Sequence, residues 1–320
     1  MTGATQLPAT TRAPAGHRPG TAAEDEADNG RADETPSAVQ AHTPGTHPSA
    51  QSRPPEDHTS VLHPTGVHAT ARIRAAHNGR TTTLPLLHND GPFHLRRLRA
   101  RAGRARVSVI GAMSAPLGGD RLELDIAAEA RSELEVTTAA ATIALRGSTT
   151  APATYDVRLT VGENASLNWL PQPLISTRGS TLHQSYTVEL ASTSRLLLRE
   201  EQLLGRTAEP PGHLSTRLTV RRDGQLLLDQ HTTYGDPAPA WDGPAVLGGH
   251  RATGQLLAVY PELTADQKPC VIGDDPVEGC AVLTPLANGP GMLATAVAHT
   301  PAHLRRLLDT ALAHALIAQA

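Results

Sequence analysis

Apolar and polar residues alternate with a period of two through most of the chain from residue 71 onward, and glycines or small residues break the alternation at regular intervals. The clearest stretch is residues 116–147, PLGGDRLELDIAAEARSELEVTTAAATIALRG. Gly118 and Gly119 supply backbone free to take a positive φ, Asp120 follows, and Leu122, Leu124 and Ile126 then fall on one face. A small-residue corner at 127–132 leads into a second alternation, Leu134, Val136 and Thr138. The β-branched Thr137, Thr138, Thr142 and Ile143 favour extended backbone there. The pattern predicts strand, corner, strand.

The unit recurs. Small residue, any residue, apolar, any residue, apolar is found starting at Ala105, Ser132, Ala165, Ser194 and Gly224, at intervals of 27, 33, 29 and 30 residues. A period of about 30 residues built from strands and corners predicts a layered, helicoid or solenoid-like β architecture, each unit burying its apolar face against the next. An irregular sandwich with evenly spaced strands has the same signature.

Other elements follow the same logic. Asn78-Gly79 between extended runs predicts a hairpin, as does Asp223-Gly224 between residues 214–221 and 226–233. Pro171-Gln172-Pro173 closes the strand at 165–170 and marks an edge or a corner. Residues 234–254, rich in Gly, Pro and Asp around Trp241, read as an exposed connection. The last element has a different period: Thr300 caps, Pro301 takes the first helical position, and Leu304, Leu307, Leu308, Leu312, Leu316 and Ile317 form the stripe of a helix over 301–318. Arg305, Arg306 and Asp309 fall on its other side.

Composition narrows the classes. Residues 1–60 hold Pro, Thr, Ala, His and acid without apolar periodicity, which predicts a disordered tail ahead of a β domain at 61–320. That tail lacks the basic start and apolar core of a secretory signal, and no stretch approaches a membrane span, so a cytoplasmic protein is expected. A net charge of −3 and 2% aromatic residues argue against nucleic-acid binding. Lys268, the sole lysine, precedes Pro269, so no phosphate loop of the GxxxxGK[ST] kind exists. Two cysteines, Cys270 and Cys280, suit a reducing compartment. The arginines at 96, 97, 99, 101, 104 and 106 are read as a solvated sheet face, with an acidic partner or a nucleic-acid backbone as the alternative.

The ordered series GPFHLRRL, GGDRLELDI, a small-residue corner, TTAAAT, a second corner, NWLPQPLI, LLLREEQLLGR, DGQLLLDQ and HLRRLLDTAL resembles the urease accessory protein UreD (UreH) family over residues 69–317. The resemblance implies a non-enzymatic scaffold that binds apo-urease and the accessory proteins UreF and UreG, so that nickel in transit reaches the urease site, with no tightly bound cofactor. It also implies many β-strands in a helicoid arrangement with a pair of helices. Asp120 stands at the aspartate of the family's Gly-Gly-Asp turn, after Gly118 and Gly119. Thr137 and Thr138 stand at its Thr-Thr pair, and Pro171 and Pro173 at its Leu-Pro-x-Pro corner. Glu200, Gly205 and Arg206 match its Glu-x-x-x-x-Gly-Arg segment. The chain departs from the pattern at Ala139, where the family has Gln, at 112–115, where it has Pro-Pro-Gly-Gly, and at 207–212.

Nickel in transit calls for exchangeable oxygen and nitrogen donors, since a closed site would trap the ion. Asp120, Glu200 and Glu201 are the candidate donors of such a route. Against that, Asp120 could serve only its turn, and the glutamates could be solvated strand residues. His42, His47, His58, His63 and His68 lack the spacing of a built site. Pro301 places His299 ahead of the helix that carries His303, which argues against a shared ligand face. Cys270 and Cys280 are read as buried thiols or a loop pair, with a soft-metal site as the alternative. Two other functions stay open: a β-helical carbohydrate-active enzyme, disfavoured by the scarcity of aromatic platforms, and a structural β-repeat binding protein without a metal role.

Overall fold

The computed structural model describes residues 66–263, 267–273, 275 and 277–317. The tail expected at 1–60, and His63 beside it, lie outside these. The described chain opens with two hairpins, β1 (His68–His77) with β2 (Thr82–His88) and β3 (Phe93–Arg101) with β4 (Arg104–Gly111). It then winds. β5 (Arg121–Ala128), β6 (Glu133–Thr138) and β7 (Thr142–Ala144) make one turn, β8 (Ala153–Val161), β9 (Ser166–Leu170) and β10 (Leu174–Ser176) the next, and β11 (Thr181–Leu190) with β12 (Arg195–Leu204) the third. A hairpin of β13 (His213–Arg222) and β14 (Gln225–Tyr234) follows. After it come β15 (Ala252–Val259), β16 (Cys270–Ile272), β17 (Gly279–Pro285), β18 (Gly291–Ala298) and the helix α1 (Pro301–Ile317).

Stacked turns give a seven-stranded sheet, ordered β14-β13-β11-β8-β5-β1-β2, and an eleven-stranded one whose main path is β16-β17-β18-β15-β12-β9-β6-β4-β3. β7 and β10 pair in parallel beside the end of β12 as a short third wall. The architecture is a β-solenoid of about four turns with one C-terminal helix, where the resemblance implied a pair. Leu134 lies beside Leu167 and Leu167 beside Leu196, at the 33- and 29-residue intervals of the sequence repeat.

Two copies of the repeat sit elsewhere than expected. Ala105, not Val107, is the partner of Leu134, a two-residue slip that period-two alternation cannot register because it leaves every side chain on the same face. The copy at Gly224 is no further turn of the winding. Asp223 and Gly224 both take positive φ, 49° and 73°, which reverses the chain into the antiparallel β13–β14 hairpin.

The corners explain the small residues. Ser132 and Ser194, both fully buried, each bond through N and Oγ to the carbonyl three residues back, that of Glu129 and that of Ala191. Ala165 makes the backbone half of this contact with Gly162. The corners stack directly, Ser166 N donating to Ser132 O and Arg195 N to Ala165 O, both at 2.9 Å, which leaves no room for a larger side chain. Pro171 and Pro173 make a corner rather than an edge, because β9 lies between β6 and β12.

Two apolar cores result. One fills the lumen between the sheets, with Leu124, Val157, Val188 and Leu218 facing Leu134, Leu167, Trp169 and Leu196. The other lies between the eleven-stranded sheet and α1. β15 is buried along its whole length, so residues 252–254 belong to a core strand and not to the exposed connection expected there. At Gly254 a Cβ would stand 2.5 Å from Glu200 O and 3.3 Å from Leu304 Cδ2, so glycine is what lets strand and helix approach. Thr300 Oγ1 accepts from His303 N at 3.2 Å, the expected cap. The helix buries Leu304, Leu307, Leu308, Ala311 and Ala315, whereas Leu316, expected in the stripe, is 43% exposed. A strict 3.6-residue period carries the buried face onto the alanines.

Candidate functional site

Glu200 and Glu201 are consecutive in a strand rich in leucine, so pleating sends them to opposite faces. Glu200 joins Leu196, Leu198 and Leu204 in the lumen, and Glu201 joins Leu197 beneath α1. They form no converging carboxylate pair of the kind a glycoside hydrolase needs.

In the lumen Glu200 is 4% exposed. Its cross-strand neighbour Gln255 donates from Nε2 to Glu200 Oε2. Trp169 of β9, Tyr155 of β8 and Tyr186 of β11 surround it around a cavity of about 20 Å³, room for one water-sized ligand. Glu200 Oε1, Gln255 Oε1 and Trp169 Nε1 are buried without a hydrogen-bond partner among the described residues. Burial, outweighing the Gln255 bond, pushes the Glu200 carboxyl up to about 7. Tyr186 is raised well above its ordinary value, first by burial and then by the Glu200 charge.

A second, open cavity of about 280 Å³ adjoins the first, sharing Thr138, Thr142 and Tyr155 as lining. Phe93, Val109, Met113 and Ile143 form much of its apolar wall. Two of the three departures from the family pattern, Ala139 and the segment containing Met113, Ser114 and Ala115, line this one cavity. Thr138 Oγ1 accepts from Gln172 N at 2.8 Å and donates to Ala140 O at 2.9 Å, and Thr137 Oγ1 donates to Leu170 O at 2.8 Å. The Thr-Thr pair therefore ties the rim of the cavity to the Pro171-Gln172-Pro173 corner.

On the helix side, Arg305 Nε donates to Glu201 Oε1 at 3.0 Å, and both Arg305 Nη atoms donate to Gln172 Oε1 at 3.3 Å. Arg199 lies 3.6 Å from Glu201 and pairs with Asp309. Arg305 and Asp309, expected on the side of the helix away from its leucine stripe, thus clamp α1 to β12.

Asp120 stands apart from both cavities. It is 2% exposed, and its carboxylate accepts from Val67 N at 2.8 Å and Leu117 N at 2.7 Å, closing the turn in which Gly119 has φ +96°. Gly118 packs against the backbone of Gly147 and Ala151 in the same corner. Gly205 and Arg206 lie at the far end of β12, where Arg206 Nε donates to Glu209 Oε2 at 2.7 Å and its guanidinium holds the Glu209 carboxyl down to about 2.

The remaining candidates are dispersed. Arg96, Arg97, Arg99 and Arg101 are exposed on the β3–β4 hairpin, while Arg106 pairs with Glu135 at 2.7 Å and Arg104 with Glu133 at 3.7 Å, a solvated sheet face. His68 is exposed. The His299 ring stands edge-on to His250 at 6.0 Å, and His303 faces Glu278 at 3.8 Å. Cys270 pairs in register with Leu283, three residues from Cys280, so the cysteines lie on opposite faces of the sheet and form no pair. No group of three or more His, Cys, Asp or Glu residues able to hold a metal occurs among the described residues, and no helix there is long and apolar enough to cross a membrane.

Sequence reading missed Gln172, Gln255, Tyr186 and Arg305, whose roles depend on which strands become neighbours. One signal was available. Two acids in succession within LLLREEQLL oblige one of them to face the interior.

The family model described as UreD urease accessory protein matches residues 67–320. Urease accessory protein UreD 2 of Saccharopolyspora erythraea is 64% identical, over 77% of this chain and 87% of its own. Urease accessory protein UreD of Streptomyces coelicolor is 51% identical over 78% and 96%, and that of Frankia alni 34% over 84% and 97%. With these matches spanning the whole solenoid and its terminal helix, the chain belongs to the UreD urease accessory protein family.

Proposed function

We propose that this chain, a non-catalytic accessory protein of urease maturation, acts in the cytoplasm as a docking platform for UreF, for UreG through UreF, and for the urease subunits, and that its lumen gives nickel a passage through Glu200. One observation carries the passage: a carboxylate with an unpartnered oxygen, buried in the lumen behind an open cavity that shares its walls. A carboxyl at about 7 holds a proton in about half of the molecules at neutral pH, so an entering cation must displace it. Such a donor binds weakly and lets go, which transit requires. Glu201, held by Arg305, supports the wall of the passage, and Asp120, away from both cavities, supports the turn at Gly118-Gly119.

The test is co-expression with the urease structural and accessory genes. Glu200→Ala and Glu200→Gln are expected to lower nickel content and urease activity by about tenfold or more while the chain still co-purifies with UreF and urease. Unchanged nickel loading in both variants refutes the passage. Unchanged loading on deletion of the whole chain refutes the maturation role.

A further inference from the structure

The end of α1 and the strand beside it carry a pair of metal-type donors that the lumen does not use. β16 is the outermost strand of the eleven-stranded sheet, and Cys270, opposite Leu283, faces the helix side with it. His314, in the last turn of α1, reaches toward that thiol, with Sγ and Nδ1 3.7 Å apart. His314 is exposed and Cys270 half-buried, so both atoms can be reached from solvent.

We propose that Cys270 and His314 form a two-donor site for a borderline divalent transition-metal ion such as nickel, cobalt or zinc. An ion held about 2.3 Å from a thiolate sulfur and about 2.0–2.1 Å from an imidazole nitrogen at a tetrahedral angle needs those atoms about 3.6 Å apart. The observed separation meets that with no movement of either element. The spacing is held from both sides: Cys270 by its ladder with β17, His314 by the neighbouring Ala311 and Ala315, buried against the sheet. His314 lies in the last turn of α1, where the helix dipole favours a cation.

Binding forms a metal–sulfur bond and a metal–nitrogen bond. The thiol proton passes to solvent, and water leaves the ion at two positions. Nothing is oxidised or reduced. The ion's other positions stay open to water or to a donor from another protein, so the site is one of exchange rather than storage. It is independent of the lumen passage, and Cys280, on the opposite face, takes no part.

Cobalt(II) titration of the full-length protein tests this, read by the thiolate-to-cobalt charge-transfer absorption, to which histidines elsewhere in the chain do not contribute. The wild type and Cys280→Ser are expected to develop the band to saturation at one ion per chain. Cys270→Ser abolishes it, and His314→Ala weakens apparent affinity by about tenfold or more with an unchanged thermal transition. A band that survives Cys270→Ser, is indifferent to His314→Ala, or is missing from the wild type at millimolar cobalt overturns the proposal.

Discussion

Glu200 shows what one buried charge does to a fold. In the unfolded chain its carboxyl loses its proton near the ordinary 4.5, whereas in the lumen burial holds that proton to about 7. The folded pKa is raised, so the stability linked to this proton is fully present below pH 4.5 and is lost as the pH climbs to 7. The loss is on the order of 3 kcal/mol. Glu200→Gln should match the wild type near pH 4 and exceed it by about that amount at pH 8, measured by urea denaturation at both pH values; a difference that does not change with pH sinks this account. Asp120 serves the fold by hydrogen bonding instead, because both of its oxygens receive backbone N–H groups. Asp120→Asn puts an amide NH2 against one of those donors and should cost about 1–3 kcal/mol in the same assay. An unaffected midpoint would mean the turn holds without it. The importance of Asp120 was legible in its Gly-Gly-Asp context. The partner Val67 was not, since 53 residues separate the two.

Among elements, β12 and α1 depend on one another. The strand supplies Glu201, with a side chain only 1% exposed, and the helix supplies Arg305 as its nearest cation. Arg305→Ala leaves that carboxylate with Arg199 alone and should cost on the order of 2 kcal/mol. Adding Glu201→Gln should restore part of the loss, and strictly additive effects in a double-mutant cycle would show that the pair is uncoupled. The helix start, its cap and most of the buried stripe could be read from Thr300, Pro301 and the leucine spacing. What Arg305 and Asp309 of the same helix would meet was not legible, because a helical period says which residues share a side and not what lies opposite. The corners at Ser132, Ala165 and Ser194 were legible for the reverse reason. Stacking imposes smallness locally, and a small residue stays visible in any sequence window.

For the molecule as a whole, alternation and corner spacing pointed to a wound β architecture while leaving an irregular sandwich open, and the scarcity of aromatic platforms and of a phosphate loop directed attention away from two kinds of catalysis. These properties belong to neighbours in sequence, and period-two burial is a local constraint that each segment obeys by itself. Register between turns, the opposite facing of Cys270 and Cys280, and the meeting of Glu200 with Gln255, Trp169 and Tyr186 were decided only in the tertiary structure. Each depends on residues from 13 positions apart (Cys270 and Leu283) to 55 (Glu200 and Gln255) being brought to one height of the winding, and a slip of two residues would leave the hydrophobic pattern unchanged while replacing every one of those partners.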